Sequence, residues 1–246
     1  MPLDTDSALR LPAVAGAHEV IWIFDLDNTL YPASCDLFQQ VDQRMASFIS
    51  ELLGVEWEEA RRLQKHYYRT YGTTLCGLMA EHRLDATRYL DYVHQIDVTP
   101  VPPNPELDQV LTRLPGRKLV FTNGSRRHAE NVLARIGIHG HFEDVFDIVA
   151  ANYVPKPDPA CYQAFCARYG IEPARSVLFE DLPRNLKPAH AIGMTTVLVR
   201  GTHELTDIDA EGEHIHNVTE DIAGWLERAL AWYGSHPQEP GGASAA

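Results

Sequence analysis

Two hydrophobic periods alternate along this chain of 246 residues. Short apolar runs such as 20–24 have the length and the β-branched bias of buried strands. Other segments repeat apolar residues every three or four positions, as amphipathic helices do. Strands are predicted at 20–24, 118–121, 145–150, 176–179, 195–199 and 215–218. Because helical segments separate most of these strands, the pattern predicts an α/β fold with a doubly wound parallel sheet.

The region between the first two strands departs from this alternation. Pro32 precedes it and a proline-rich run at 100–105 follows it, and neither end can continue a helix. Four helices are predicted inside it, at 37–53, at 57–71, at 75–82 and from about Asp85. The predicted organisation is an α/β core at 17–32 and 101–236, a helical insertion at 33–100, and disordered termini at 1–16 and 237–246.

Two carboxylates, Asp25 and Asp27, follow the first predicted strand directly. In extended backbone a spacing of two places both side chains on the same side. Like charges held this close repel each other, so the pair needs a cation or a shared proton. A turn or capping aspartate is the structural alternative. The pair is more typical of chemistry in which one carboxylate is a nucleophile and its neighbour moves protons.

Polar residues also follow three other predicted strands. Thr122 and Asn123 end one strand, Glu180 and Asp181 end another, and Lys156 lies in the loop beyond a third. Each has an ordinary structural alternative, such as a helix cap, a helix-start acid or a solvated lysine. Ligands of parallel sheets bind beyond the carboxyl ends of the strands. The joint placement of these residues therefore predicts one site at that edge.

Composition limits the classes of binding partner and the cell compartment that we expect for this protein. The formal net charge of −13 argues against a nucleic-acid polymer or an anionic membrane as a partner, because both are bound through clustered Lys and Arg. The four cysteines show no CxxC spacing, and the chain shows neither a secretory signal nor a long apolar run. We therefore expect a cytoplasmic protein with reduced thiols. Nothing in the sequence sets its oligomeric state.

In order and spacing, the strand-end residues resemble the four motifs of the haloacid dehalogenase (HAD) superfamily, which begin with DxDxT. The resemblance covers about 20–32 and 105–199. It implies a HAD-like core in which Asp25 attacks phosphorus and becomes an aspartyl phosphate. Asp27 would protonate the leaving oxygen and then take a proton from the attacking water. For this role we expect the pKa of Asp27 to be raised.

The same resemblance assigns the phosphate contacts. Thr122 and the backbone amide of Asn123 would hold phosphate oxygens, and Lys156 would neutralise both Asp25 and the phosphoryl group. A carboxylate and a phosphate repel each other, so a nucleophilic aspartate needs cations around it.

The resemblance also implies a metal site. Mg²⁺ would be bound by Asp25, the Asp27 carbonyl and Asp181, with Glu180 one water away and Asn185 behind them. Oxygen ligands favour Mg²⁺ over Zn²⁺.

The second acid separates subclasses of the superfamily. Its dehalogenases expel halide, which needs no proton, and they lack an acid where Asp27 stands. The resemblance therefore implies phosphoryl transfer by an enzyme, as a phosphoric monoester hydrolase or a phosphoglucomutase-like transferase. A non-catalytic binding module is the alternative from another class, but such a module needs no Asp27.

The helical insertion resembles a C1-type cap, which would close over the site and exclude water. Residues 67–78, together with 25–32, resemble the pyrimidine 5′-nucleotidase branch. Tyrosines at 67, 68 and 71 could stack on a base or pack inside the protein, and the glycines flanking 73–74 suit a close approach to a ligand. A nucleoside 5′-monophosphate is the expected small phosphorylated substrate. Another small ester, such as a sugar phosphate or phosphoglycolate, is the alternative.

Other signals are interpreted as structural. Two histidine pairs, at 139 and 141 and at 214 and 216, lack a third metal ligand and are expected in surface loops. Cys35 has no evident base partner, and the acidic stretch 204–213 is expected to be solvated.

Overall fold

The computed structural model of the protein describes residues 9–201 and 211–236. The strands are β1 (Ile21–Phe24), β2 (Arg117–Phe121), β3 (Asp144–Phe146), β4 (Ser176–Glu180), β5 (Thr195–Val199) and β6 (Asn217–Thr219). All pair in parallel, in one sheet of order β3-β2-β1-β4-β5-β6. The predicted α/β fold with a doubly wound parallel sheet is confirmed.

Helices lie in each connection from β1 to β5, and one follows β6. Between β1 and β2 lie α1 (Leu37–Leu53), α2 (Trp57–Tyr71), α3 (Thr74–His82), α4 (Ala86–Val93) and α5 (Pro105–Arg113). The later ones are α6 (Arg126–Ile136), α7 (Pro159–Tyr169), α8 (Pro183–Ala191) and α9 (Ile222–Ser235). None of the described helices is both long and apolar enough to cross a bilayer.

Strand β1 lies at the centre of the sheet, between β2 and β4. Trp22 and Phe24 pack into the hydrophobic cluster on one face, and Ile21 and Ile23 into the cluster on the other. A strand covered on both faces needs apolar residues at every position, which explains the uninterrupted run in the sequence. The strand thus delivers Asp25 to the middle of the carboxyl edge.

The helical insertion has a hydrophobic cluster of its own, built mainly from α1 to α4. Local signals set its helix ends: Gly54 ends α1 with a positive φ, Thr73 caps α3 and Asp85 caps α4. Ile148 and Tyr153, from the loop after β3, pack into the same cluster. The insertion therefore rests on the loop that leads to Lys156.

The structure corrects two expectations about the core. Strand β3 ends at Phe146, short of the predicted 150, because the Asp147 side chain accepts hydrogen bonds from the amides of Arg126 and Ala150 and starts a turn. The expected disorder of 1–16 is wrong for residues 9–16, where Val14 is buried and the Arg10 amide donates to the Asn217 side chain at 3.0 Å. Residues 1–8, 202–210 and 237–246 lie outside the described residues, and with them most of the acidic stretch and the predicted C-terminal tail.

Candidate active site

Lys156 joins three strand ends. Its ammonium group donates to Asp25 Oδ1 at 2.7 Å, to Glu180 Oε1 at 2.8 Å and to the carbonyl oxygen of Phe121 at 2.9 Å. The side chain is 1% exposed, so all three N–H groups are used inside the protein. The structure thus brings together residues that are more than 100 positions apart in the chain, as the strand-end pattern predicted.

The Asn123 side chain fixes the loop that carries this lysine. Its Oδ1 accepts from the Lys156 amide at 2.8 Å, and its Nδ2 donates to the Lys156 carbonyl at 3.1 Å. Thr122 is buried, and its hydroxyl accepts from the Gly124 amide at 2.9 Å. The side chain of Asn123 therefore has a structural task beyond the predicted phosphate contact of its amide.

A short turn holds the nucleophile candidate in place. The Asp25 amide continues the sheet by donating to the Phe179 carbonyl at 2.9 Å, after which the chain turns. Asn28 takes a positive φ of 60°, which asparagine tolerates better than most residues. Thr29 returns to donate its hydroxyl to Asp25 Oδ2 at 3.1 Å. Both carboxylate oxygens of Asp25 are thereby oriented.

Three buried carboxylates, Asp25, Glu180 and Asp181, form what we call the acid cluster. Each offers an oxygen, and these oxygens lie within 4.8 Å of one another. Burial, the nearby Glu180 and Asp27 outweigh the attraction of Lys156 and raise the pKa of Asp25 to about 7. Burial and repulsion from Glu180 and Asp25 also raise the pKa of Asp181 well above its usual range. The cluster therefore has more negative charge than its surroundings compensate.

The acid cluster fits a hard divalent cation. When all three are ionised, the carboxylates face one ammonium and keep two negative charges, and the donors are all oxygen. Asn185 donates to Glu180 Oε1 at 2.5 Å, while its own Oδ1 is buried without a partner among the described residues. Such an acceptor suits a water bound to a cation.

Asp27 stands apart from the acid cluster and has different partners. Its Oδ1 accepts from the Tyr31 hydroxyl at 2.5 Å and lies 2.7 Å from His128 Nε2. Burial pushes the pKa of Asp27 upward, but the His128 imidazole and the Tyr31 hydroxyl outweigh burial and hold that pKa below its usual value. The expectation of a raised pKa for Asp27 is therefore wrong, because the motif did not reveal these two partners.

The sequence predictions missed His128, which is 1% exposed on the first turn of α6. Its position in the sequence was the available signal. Thr122 marks the end of β2, Ser125 caps α6, and His128 stands three residues after that cap, on the first helical turn.

The three tyrosines of the helical insertion have separate roles. Tyr67 and Tyr71 donate or accept hydrogen bonds within the insertion. Tyr68 instead meets the core, where the guanidinium of Arg184 lies 4.4 Å from its ring centre. Burial raises the pKa of the Tyr68 hydroxyl, and the charge of Asp181 adds to this rise. Tyr68 is thus the member of the three that faces the acid cluster.

The two glycines that flank residues 73–74 pack closely against other side chains of the protein. A Cβ at Gly72 would lie 3.3 Å from Pro155, and one at Gly77 would lie 2.5 Å from the Tyr67 side chain. Close packing explains both positions, and the loop lies against the residue that precedes Lys156.

Two histidines of the pairs noted in the sequence have partners away from the acid cluster. His141 pairs with Asp108, and His216 contacts His190. Among the described residues, the acid cluster is the group with metal-ligand spacing, and the four cysteines are free thiols.

A family model for a haloacid dehalogenase-like hydrolase matches residues 21–193. The chain belongs to the haloacid dehalogenase-like hydrolases. The match includes β1 to β4, the helical insertion, and every residue of the predicted site.

Two curated relatives of this hydrolase extend over most of its length. It is 28% identical over 230 residues to Phosphate metabolism protein 8 of Saccharomyces cerevisiae, and the aligned region covers 86% of this chain and 69% of that protein. It is also 28% identical to a Glyceraldehyde 3-phosphate phosphatase of Methanocaldococcus jannaschii, with 81% of this chain and 93% of that protein covered.

A solved structure, the HAD phosphatase from Thermococcus onnurineus, superposes with a TM-score of 0.57 at 19% identity and covers 89% of this hydrolase and all of that chain. At this identity the likeness supports the fold alone. Together the comparisons confirm the predicted family and the predicted enzyme class, a phosphoric monoester hydrolase.

Proposed function

We propose that this hydrolase releases inorganic phosphate from a small phosphate monoester, with Mg²⁺, through an aspartyl phosphate on Asp25. One observation carries the proposal: the structure holds two aspartates from one motif in opposite environments. Asp25 lies in a cluster with uncompensated negative charge, whereas Asp27 lies outside it between two hydrogen-bond donors. A nucleophile beside a cation and a separate proton carrier are the two parts that the reaction needs.

The first step forms a bond between Asp25 and phosphorus and breaks the bond from phosphorus to the leaving oxygen. Asp27 gives that oxygen its proton, so the product leaves as an alcohol. In the second step water attacks phosphorus, Asp27 takes the proton of the water, and the Asp25–phosphorus bond breaks. Lys156 stays against Asp25 throughout and offsets its charge.

The acid cluster is the proposed Mg²⁺ site. Asp25, Asp181 and the Asp27 carbonyl would hold the ion, which would supply the positive charge that lets a carboxylate approach a phosphate. Both oxygens of Glu180 already accept hydrogen bonds, from Lys156, Asn185 and the Leu182 amide. This supports a contact of Glu180 with the ion through water.

Thr122 and the Asn123 amide are the proposed phosphate contacts. Gly124 lies beside them without a side chain, and a Cβ there would crowd the site, at 3.3 Å from Thr122 Oγ1, 3.3 Å from His128 Cδ2 and 3.6 Å from Asp27 Oδ2. Thr122 Oγ1 and Asp27 Oδ2 therefore both lie beside Gly124, which supports placing the phosphoryl group and its leaving oxygen on this side of Asp27.

Asp27 must carry a proton to begin the reaction, although its partners hold its pKa below the usual value. A phosphate dianion placed next to it repels its charged form and raises its pKa. Substrate binding would therefore prepare the acid.

For the substrate we propose a nucleoside 5′-monophosphate first. The helical insertion at 33–100 would act as a cap, and Tyr68 offers an aromatic ring beside the acid cluster for a base. A triose or other sugar phosphate is the second candidate, because the Methanocaldococcus jannaschii relative bears the name of a glyceraldehyde 3-phosphate phosphatase. Four free thiols support a reducing compartment such as the cytoplasm.

Phosphate release tests the proposal. The enzyme is assayed with Mg²⁺ on a panel of nucleotides, sugar phosphates and phosphoglycolate, with chelator controls. We expect release that requires Mg²⁺ and favours nucleoside monophosphates. Preference for triose phosphate would select the second candidate, isomerised sugar phosphate without release would indicate a mutase, and no release on any ester would defeat the proposal.

A further inference from the structure

The hydrogen bonds to Asp27 all fall on one of its two oxygens. Tyr31 and His128 both contact Oδ1, whereas Oδ2 has no hydrogen bond from the described residues. Oδ2 lies instead on the side of Gly124, next to the proposed phosphate position. A protonated carboxyl group accepts on its carbonyl oxygen and donates from its hydroxyl oxygen. An ionised Asp27 can only accept, which assigns the His128 proton to Nε2, so Tyr31 and His128 both donate to Oδ1. When Asp27 takes up a proton, these two donors direct it to Oδ2, toward the substrate.

Apart from its hydrogen bond to Asp27, the His128 ring is held at this position by packing. Its Nδ1 is buried without a partner among the described residues, so nothing on that side of the ring orients it. The imidazole of His94 stacks on it instead, with ring centres 4.5 Å apart and planes 11° from parallel.

His94 comes from the helical insertion. It directly follows α4, and its Nδ1 lies 2.9 Å from the hydroxyl of Ser125. Ser125 caps α6 by accepting from the His128 amide at 3.3 Å. One residue of the insertion therefore contacts both the helix cap and the ring that hold Asp27. Burial and the neighbouring His128 lower the pKa of His94 to about 3, so its ring stacks as a neutral group.

We propose that His128 is a positioning residue that presents the Asp27 proton to the leaving oxygen, and that the stacked His94 makes this presentation depend on the helical insertion. The inference rests on the proposed function, because a directed proton matters only if an alkoxide leaves. It adds two residues that the HAD motifs do not contain. It also gives the insertion a role in proton transfer besides covering the site.

The leaving group provides a readout that general damage to the fold does not change. An alkyl ester needs a proton on its departing oxygen, whereas para-nitrophenolate leaves readily without one. We would measure kcat with saturating Mg²⁺ for the best alkyl ester of the panel and for para-nitrophenyl phosphate. The ratio of the two kcat values isolates the contribution of proton donation by Asp27 to the rate.

His128→Leu is expected to lower kcat for the alkyl ester about 100-fold and kcat for the aryl ester less than about fivefold. His128→Gln, whose amide can replace the Nε2 donor, should keep the ratio within about threefold of wild type. Tyr31→Phe removes only the second donor and should lower the ratio about tenfold.

His94→Ala should lower the ratio several-fold, since it removes the stacked ring and leaves the two hydrogen bonds to Asp27. His66→Ala, a change at an exposed histidine of the same insertion, should leave the ratio unchanged.

Equal losses on both esters, or no loss on either, would overturn the inference. If His128→Leu fails to fold, His128→Gln and Tyr31→Phe decide by the same ratio. A wild-type enzyme that hydrolyses neither ester would instead defeat the proposed function, and the inference with it.

Discussion

The two aspartates of one motif show how differently two halves of a single site can be stabilised. Asp25 belongs to a cluster of charged groups held by strand ends of the core, and that cluster keeps an excess of negative charge. The side chain of Asp27, two residues later, lies outside this cluster and has Tyr31 and His128 as its hydrogen-bond partners. We therefore expect the nucleophile side to depend on a bound cation, and the acid side to depend on hydrogen-bond donors and on the insertion.

This contrast has a physical origin. Removing charges from water is costly, and a cluster of like charges adds repulsion to that cost. The ionised acid cluster is compensated only in part by Lys156, so a bound cation or protons would complete the compensation. The negative charge of the Asp27 carboxylate is compensated by partners within the protein, so we expect its protonation state to change when a substrate adds negative charge nearby.

The largest effect is expected at the nucleophile. Asp25→Asn should lower phosphate release by on the order of 10⁴-fold or more, because an amide cannot form the covalent intermediate. Asp85→Asn is the matched control, since asparagine caps α4 as well as aspartate does, and its activity should stay within about twofold. Release that survives Asp25→Asn would contradict the assignment.

The next effect concerns stability against pH without metal. The folded pKa of Asp25 is about 7 against an ordinary 3.8, so the folded state binds this proton more tightly than the unfolded state. Its stabilising contribution is complete below about pH 4 and is lost as pH rises through about 7. With chelator present, wild type should lose a few kcal/mol relative to Asp25→Asn across this window.

Chemical denaturation of both proteins at several pH values measures this difference. Mg²⁺ competes with the protons on the acid cluster, so its stabilisation should grow as pH rises. If the difference in unfolding free energy between the two proteins does not change with pH, charge repulsion in the acid cluster does not destabilise the fold.

A smaller effect, on Mg²⁺ affinity, should distinguish the proposed metal ligand Asp181 from the proposed acid Asp27. Asp181→Asn removes one ligand and one charge from the cluster and should weaken Mg²⁺ binding about 100-fold, measured by calorimetry. Asp27→Asn keeps the backbone carbonyl and should change Mg²⁺ affinity less than about threefold, although its activity falls. Equal losses of Mg²⁺ affinity in the two variants would remove the contrast between the halves of the site.

The smallest expected effect lies at the insertion. Tyr68→Ala should raise KM for a nucleoside monophosphate about three- to tenfold and leave KM for a triose phosphate nearly unchanged, because only a base can stack on the ring. Tyr71→Ala, on the same helix but hydrogen-bonded within the insertion, is the control. Equal effects on both substrates would argue against a base at Tyr68.

The elements and residues that depend on neighbours in sequence could be predicted. The apolar run of β1, the caps of α1 and α4 and the acid pair after β1 are all local signals. Their convergence followed from one rule, that parallel strands end at the same edge. β3 was predicted too long because the turn depends on the Asp147 side chain reaching the start of α6.

The contacts that could not be predicted join side chains across the fold. His128 and Asp27 lie 101 positions apart, and the stack of His94 on His128 joins the insertion to the core. No periodicity encodes such pairs. The pKa of Asp27 was mispredicted for the same reason, because its direction is set by those partners.

The central claim is that the Asp25 side chain carries the phosphoryl group, and trapping tests it most directly. In the Asp27→Asn variant, para-nitrophenyl phosphate should still phosphorylate Asp25, while hydrolysis slows because no base activates the water. Rapid acid quench after labelled substrate and Mg²⁺ should give a burst of nitrophenol and label on the peptide containing Asp25. Nitrophenol and phosphate released in step with no label on the protein, or label on another residue, would contradict the account.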